Sequence, residues 1–327
     1  MSALKDRLPG FMLVAVVALA AAFLGEHYDT PTLLLALLLG LAMNFLYEAP
    51  KVVAGVDTSA STLLRVGVAL LGARISFDTL FHFGASTLVL LGFIVLATIL
   101  FGTIVSRYLG VSSELGTLTG SGVAICGASA TIAVAAVSPK TESSERATAI
   151  TIIGITVMSA IAMVSYPLLG HWLGMDDRQL GLFLGASIHD VAQVVGAGYS
   201  VSSAAGDDAT LIKLIRVAML APIVFVLGSY YSRAGRTESK PGFAIPGFLW
   251  VFVVLMVLNS LGYLPERLVT VMQLVSSSLL IAAIAAIGLR TQPTKLRGMS
   301  RPLLTLIVLE TLFIGVLAAA LATWFGV

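Results

Sequence analysis

The sequence predicts an all-α membrane protein of about eleven transmembrane helices, and three observations carry that prediction. Hydrophobic residues make up 58% of the 327 and charged residues only 11%, with a mean hydropathy of +1.00. A soluble domain carries about 25% charge. A soluble chain this apolar would expose patches far above the few hundred Å² that monomers tolerate. Second, apolar windows near the roughly 20 residues of a spanning helix follow one another along the whole sequence. Third, the connections are short, with no low-complexity stretch or soluble insert, so residues 1–327 read as one membrane domain.

The windows fall at 10–25, 31–47, 59–74, 85–106, 116–137, 147–170, 180–200, 209–231, 244–262, 267–289 and 303–326. The opening MSALKDRLPGFMLVAVVALAAAF mimics a signal peptide. Because further apolar windows follow at once, it reads as a retained first helix. Asp29-Thr30-Pro31 supplies a capping residue and a proline ahead of the second helix. Lys and Arg set orientation. With the N-terminus in the cytoplasm, Lys5, Arg7, Lys51, Arg107, Arg178, Arg233, Arg236, Lys240, Arg290, Lys295, Arg297 and Arg301 face inward. Arg74, Lys140, Arg146, Lys213, Arg216 and Arg267 face outward. The excess favours N-inside, and eleven crossings then put the C-terminus outside.

Several function classes fall away. A net charge of +2 without a long basic run argues against nucleic acid. One cysteine makes no internal disulfide, and one Cys with four scattered His makes no metal motif, so neither metal nor cofactor is expected. There is no G-x-S-x-G elbow and no G-x-G-x-x-G after a strand. Cys126, Ser129, His189 and Asp190 do supply the residue types of a nucleophile and base, which keeps an intramembrane enzyme as an alternative.

The polar content is concentrated. Gly120–Ala130, GSGVAICGASA, consists of small or modest residues within an apolar window. Close helix packing explains many membrane glycines. An unwound turn whose half-helix N–H groups face an anion explains them too, and the length of the run with Ser121, Cys126, Ser129 and Thr131 favours it. Gly185–Ser200, GASIHDVAQVVGAGYS, places His189, Asp190 and Gln193 near the middle of another window. An ionised Asp at a helix centre costs about 2.5–3.5 kcal/mol on insertion scales, so such residues mark functional sites. A polar network that only locks helices together is the alternative. Asp190 and Gln193, at i and i+3, share a helix face.

Other charges divide. Arg65 lies within the third window; its depth favours a neutraliser of an anionic substrate or a partner of Asp190 over a side chain that snorkels along its stem to an interface. Lys213 and Arg216, one turn apart early in the eighth, are read as a solvated vestibule face. Glu310 is balanced between a structural hydrogen bond and a coupling role. Glu142, Glu145, Asp207 and Asp208 are read as loop and cap residues. Two weak echoes suggest internal repetition: LLGARISFDTL (70–80) with AIGLRTQPTKL (286–296), and the Leu-Gly-x-Leu/Phe-x-Gly openings at Leu115 and Leu180. The first pair lies on helices that run in opposite directions. The second lies on parallel ones and does not fit a simple inverted pair.

SGVAICGASATIAVAAV and GASIHDVAQVVGAG resemble the signature stretches of the YeiH-type sulfate exporter family of bacterial inner-membrane proteins. The likeness covers nearly the whole chain. The resemblance implies an inverted-repeat bundle with two broken crossing helices, divided into core and panel domains. It implies a secondary transporter exporting sulfate, sulfite or a sulfonate-like anion, proton- or sodium-coupled, in the bacterial inner membrane, with fold relatives usually dimeric. On this reading Ser121, Gly122, Cys126, Gly127, Ser129 and Arg65 form the substrate site, and His189, Asp190 and Gln193 serve the coupling ion. A passive anion channel is the alternative. His-Asp…Gln departs from the Glu or Asn/Gln pair of sodium-coupled relatives, which leaves the coupling ion open.

Overall fold

A computed structural model describes residues 2–139, 144–234 and 246–324. Lys140, Glu142, Arg236 and Lys240, and the side chains of Lys5 and Glu145, lie outside the described residues. Among those described, all regular structure is helical. In order the helices are α1 (Ser2–Tyr28), α2 (Thr32–Ala42), α3 (Pro50–Thr58), α4 (Leu64–Leu71), α5 (Phe77–Tyr108), α6 (Ser113–Ala124), α7 (Ala128–Val137) and α8 (Ser144–Trp172). Then come α9 (Asp177–Ser187), α10 (Val191–Val201), α11 (Ser203–Ala218), α12 (Leu220–Arg233), α13 (Gly247–Ser260), α14 (Glu266–Arg290) and α15 (Arg301–Trp324). A π-turn, Ser59–Leu63, joins α3 to α4, and a 3-10 turn, Asn44–Glu48, follows α2.

Among the described residues, seven stretches are long and apolar enough to cross a membrane: Asp6–Tyr28, Pro50–Leu71, Gly84–Tyr108, Arg146–Trp172, Ser203–Arg233, Glu266–Arg290 and Arg301–Trp324. Shorter apolar helices lie at Thr32–Ala42, Ala128–Val137, Val191–Val201 and Gly247–Ser260. Two local expectations need correction. Helix α2 begins at Thr32 with no side-chain cap, and Asp29 takes a left-handed backbone (φ 50°) in place of a capping one. Asp207 and Asp208 are neither loop nor cap residues. The hydroxyl of Ser202 accepts the Ala205 N–H at 3.1 Å, so α11 starts earlier than the apolar window and carries both aspartates inside it. Pro222, lacking an N–H, cannot bond the Ala218 carbonyl, where α11 gives way to α12.

Packing divides the chain into two compact units. The first comprises Met1–His82, Val195–Asp207 and Pro246–Gln292. Within it α14 packs on α1, α2 and α4, and α1 packs on α3. Small residues set this spacing, as van der Waals packing in membranes requires. A Cβ on Gly288 would overlap the Leu37 carbonyl of α2, and one on Gly40 would overlap the Ala285 carbonyl of α14. Gly288→Ala is therefore expected to lose about 1–3 kcal/mol of unfolding free energy in detergent. Gly298→Ala, with nothing within 4 Å of the new methyl, is the control that stays at the parental value. Equal behaviour of the two variants would reject this account. In the same unit the Ser276 hydroxyl donates to the Gly67 carbonyl at 2.7 Å, and Tyr47 donates to Asp57 at 2.9 Å.

The second unit comprises Phe83–Val194, Asp208–Ile245 and Pro293–Val327. Here α15 packs against α6, α8 and α9, and α7 lies between α8 and α12. Phe101 and Phe313 stack with ring centroids 4.1 Å apart. Two interruptions, Ile125–Gly127 and Ile188–Asp190, fall inside this unit and define its chemistry.

Candidate functional site

The two interruptions are built by local sequence at one end and by distant cations at the other. Helix α6 starts under a cap from Ser112, whose hydroxyl accepts the Leu115 N–H at 3.2 Å. Helix α9 starts with a reciprocal capping box between Asp176 and Gln179. Both then run through buried glycine-containing turns, and both stop mid-protein. A helix that stops leaves up to four carbonyls without intrahelical donors. Without water, each must find a donor inside the protein.

Lys213 and Arg216 on α11 supply those donors. At i and i+3 they share one face, and each is 0% exposed. The Lys213 ammonium donates to the carbonyls of Ile125 (2.6 Å), Ile188 (2.8 Å) and His189. The Arg216 guanidinium donates from Nε to Ala124 (2.9 Å), from one terminal nitrogen to Gly185 (2.8 Å) and Ile188 (3.1 Å), and from the other to Val123 (3.1 Å) and Ala124 (2.6 Å). Three donors on lysine and five on arginine are the full complement of each side chain, so both are completely spent on main-chain carbonyls. Cations at helix C-termini offset the negative end of the helix dipole as well. The sequence-based expectation of a solvated vestibule face is thus corrected, because these side chains join the C-terminal ends of α6 and α9.

The opposite ends of the interruptions face each other across Gly127. Gly127 has φ 62° and ψ −124°, a backbone that side chains other than glycine's rarely allow. A Cβ built there would lie 3.8 Å from Asp190 Oδ2 and 3.9 Å from the His189 carbonyl. Asp190 caps α10: its Oδ1 accepts the Ala192 N–H at 3.1 Å, while its own N–H donates to the Ser159 hydroxyl of α8 at 3.0 Å. The first N–H groups of α7 and α10 thus start beside one carboxylate.

Comparison with known proteins fits this picture of a membrane chain. A sequence profile described as conserved hypothetical protein 698 matches residues 9–306. The chain belongs to that family. A UPF0324 membrane protein of Rhizobium meliloti is 46% identical over 95% of this chain and 91% of its own length. UPF0324 membrane protein TauZ of Paracoccus denitrificans is 47% identical over 94% and 92%, and a UPF0324 membrane protein of Chlorobaculum tepidum 43% over 97% and 89%. The membership bears out the resemblance read from the two glycine-rich stretches, and the protein is a membrane protein with its relatives. A sodium proton antiporter structure from Methanocaldococcus jannaschii aligns over 98% of the chain at 17% identity, but its TM-score of 0.29 is too low to carry an argument.

In this family member the expected site residues are placed as follows. Gly127, His189 and Asp190 meet at the interruptions, and Gln193 follows in the first turn of α10. Ser129 is exposed on the first turn of α7, and Cys126 is buried beside Gly127. Ser121 is buried, and its hydroxyl donates to the Thr117 carbonyl within α6 at 2.7 Å. Gly122 is closed in by Thr131 and Ile155. His189 is buried, with Nε2 2.9 Å from the Thr311 hydroxyl. That hydroxyl donates to Ile307, so Nε2 is the donor of the pair and Nδ1 stays without a partner. Gln193 is buried with Nε2 3.5 Å from the Thr156 carbonyl and Oε1 unpartnered. Next to Thr311, buried Glu310 accepts from Thr119 at 2.7 Å and leaves its second oxygen unpartnered. Arg65 lies in the first unit, exposed at the start of α4. Among the described residues, ion pairs join Arg74 to Asp207 and Arg290 to Asp57.

Proposed function

We propose that this protein is a secondary active transporter that exports a small inorganic or sulfur-containing anion, of the sulfate, sulfite or sulfonate kind. The observation that carries this reading is the fixed positive charge of Lys213 and Arg216 at the interruptions. The C-terminal ends of α6 and α9 offset about one charge, the N-terminal ends of α7 and α10 add about one back, and Asp190 removes one. About one positive charge is left in excess, which favours an anion as cargo over a cation. Both cations are fully bonded, so the anion docks on main-chain N–H groups at the start of α7 and on the Ser129 hydroxyl. Gly122, Gly127, Cys126 and Ser121 shape that approach by their small size. Arg65 remains a candidate counter-charge for the anion. Asp190, with His189 and Gln193 beside it, carries the coupling proton or sodium ion.

The protein acts in the bacterial inner membrane through eleven crossings, as a homodimer, with its N-terminus in the cytoplasm and its C-terminus outside. The two broken helices cross as the family resemblance implies. Taking the interior Lys213 and Arg216 out of the charge comparison leaves Arg74, Lys140, Arg146 and Arg267 on the outer side, which sharpens the bias. The catalytic alternative loses support from the buried setting of Cys126. Purified protein in liposomes loaded with labelled sulfate, sulfite or a sulfonate is expected to release at least one of them under an imposed pH or sodium gradient. No flux of any of the three under either gradient would overturn the reading.

A further inference from the structure

Two clusters of the same three residue types stand in the first unit, outside the candidate site. In one, the Tyr47 hydroxyl donates to Asp57 Oδ1 at 2.9 Å, and an Arg290 nitrogen lies 3.9 Å from that oxygen. In the other, the Tyr199 hydroxyl donates to Asp207 Oδ1 at 2.5 Å, and Arg74 Nε donates to Oδ2 at 2.8 Å. There the guanidinium carbon also sits 5.5 Å from the centre of the Tyr199 ring. Tyrosine precedes aspartate by ten residues in the first cluster and eight in the second.

The arginines are those of the two echoed stretches, LLGARISFDTL and AIGLRTQPTKL. Each reaches across the chain. Tyr47 and Asp57 come from the first half and meet Arg290 of the second. Tyr199 and Asp207 come from the second half and meet Arg74 of the first. Such exchange, in which one copy's arginine meets the other's acid and the reverse, is what a two-fold relation between two repeats produces.

The clusters lie at opposite ends of one span. Asp57 sits in the second turn of Pro50–Leu71, and Arg74 follows shortly after Leu71. At 1.5 Å per residue they are about 25 Å apart along the helix. With eleven crossings, Tyr47, Asp57 and Arg290 all fall on the cytoplasmic side, and Arg74, Tyr199 and Asp207 all fall on the other. An odd error in the crossings between two partners would have placed them on opposite faces.

The two clusters are not in the same state. The Arg74 cluster is fully made, while the Arg290–Asp57 contact is stretched to the edge of an ion pair. Tyr199 and Ser200, with Gly25, Glu26, Asp29 and Thr32, also line an open pocket of about 530 Å³ at the Arg74 end. The geometry points to a pair of latches, Arg74–Asp207–Tyr199 at the outer face and Arg290–Asp57–Tyr47 at the inner, that open in alternation, with the outer one shut in this structure. The inference rests on the transporter reading for its purpose, but its test needs no cargo.

Single thiols report on each end: Ala73→Cys beside Arg74 and Thr291→Cys beside Arg290, both positions being buried. Maleimide labelling rates are measured by mass spectrometry on the full chain in nanodiscs, where both faces are open to reagent. The parent with its buried Cys126 sets the baseline. Asp207→Asn is expected to raise labelling at Ala73→Cys and lower it at Thr291→Cys, each by about tenfold, and Asp57→Asn is expected to do the reverse. Tyr199→Phe and Tyr47→Phe, which each remove one hydroxyl, shift the rates in the same directions by less and serve if a charge variant does not fold. Rates that change only at the mutated end, or at neither, overturn the inference. Labelling that alternates in a protein that moves no anion would sink the cargo reading and leave the latches standing.

Discussion

Arg216→Ala is expected to be the most damaging single substitution in the membrane domain. It strips donors from the Val123, Ala124 and Gly185 carbonyls at once, while Ile188 retains Lys213. Each buried acceptor left unpaired costs about 1–3 kcal/mol, and breaking a buried charged contact costs about 3–5 kcal/mol overall. Unfolding in detergent, followed by size exclusion after heating or by denaturant titration, should show a loss of that order. Arg216→Lys keeps the charge but offers three donors on a compact head where five were used in a planar fork. It should fall between parent and alanine. An alanine variant as stable as the parent would remove the cation clamp from the account of the broken helices. A lysine variant equal to the parent would mean that charge alone, without the fork, supports them.

Asp190→Asn should have the largest effect on transport with the smallest on stability. Asn caps helices as well as Asp does, so the bond to the Ala192 N–H survives and stability should stay within about 0.5 kcal/mol of the parent. The ionisable group at the interruption is gone, and gradient-driven anion flux should fall by at least about tenfold. Asp190→Ala should lose the flux and about 1 kcal/mol of stability besides. Flux measured in liposomes beside unfolding of the same preparations separates the two effects. Undiminished gradient-driven flux in Asp190→Asn would move the coupling role elsewhere. An anion current that persists without coupling would identify a passive channel.

The positions of the two interruptions are legible in the sequence. Gly120–Ala130 stood out because bulky apolar residues vanish from an apolar window, and the chain is interrupted there at Ile125–Gly127. Ile188-His189-Asp190 stood out by depth, and the second interruption falls on it. Lys213 and Arg216 were misread although the signal was present. Leu211-Ile212-Lys213-Leu214-Ile215-Arg216-Val217 places two cations on one face of a strongly apolar stretch, with no acid one turn away. The depth rule applied to Asp190 assigns them to the interior too. Arg65 shows the opposite failure, since position within a window says nothing about which neighbour a helix face meets. Asp207 reads as a loop or cap residue in the sequence because the polar start of α11 lies outside the apolar window that defines a span.

The sequence by itself determined the membrane as the solvent of this protein, its helical class and the two stretches in which the interruptions fall. Those are properties of composition and local spacing: transfer free energy sums along a window, and small residues or a buried aspartate act where they stand. Only the tertiary structure decided what completes the interruptions. The carbonyls of Val123–Ile125 and Gly185–His189 meet donors 24 to 93 positions away. The Tyr–Asp pairs meet arginines supplied by the other half of the chain. Hydrogen bonds and ion pairs depend on distance in space, and a helical period carries no information about which distant residue will close that distance.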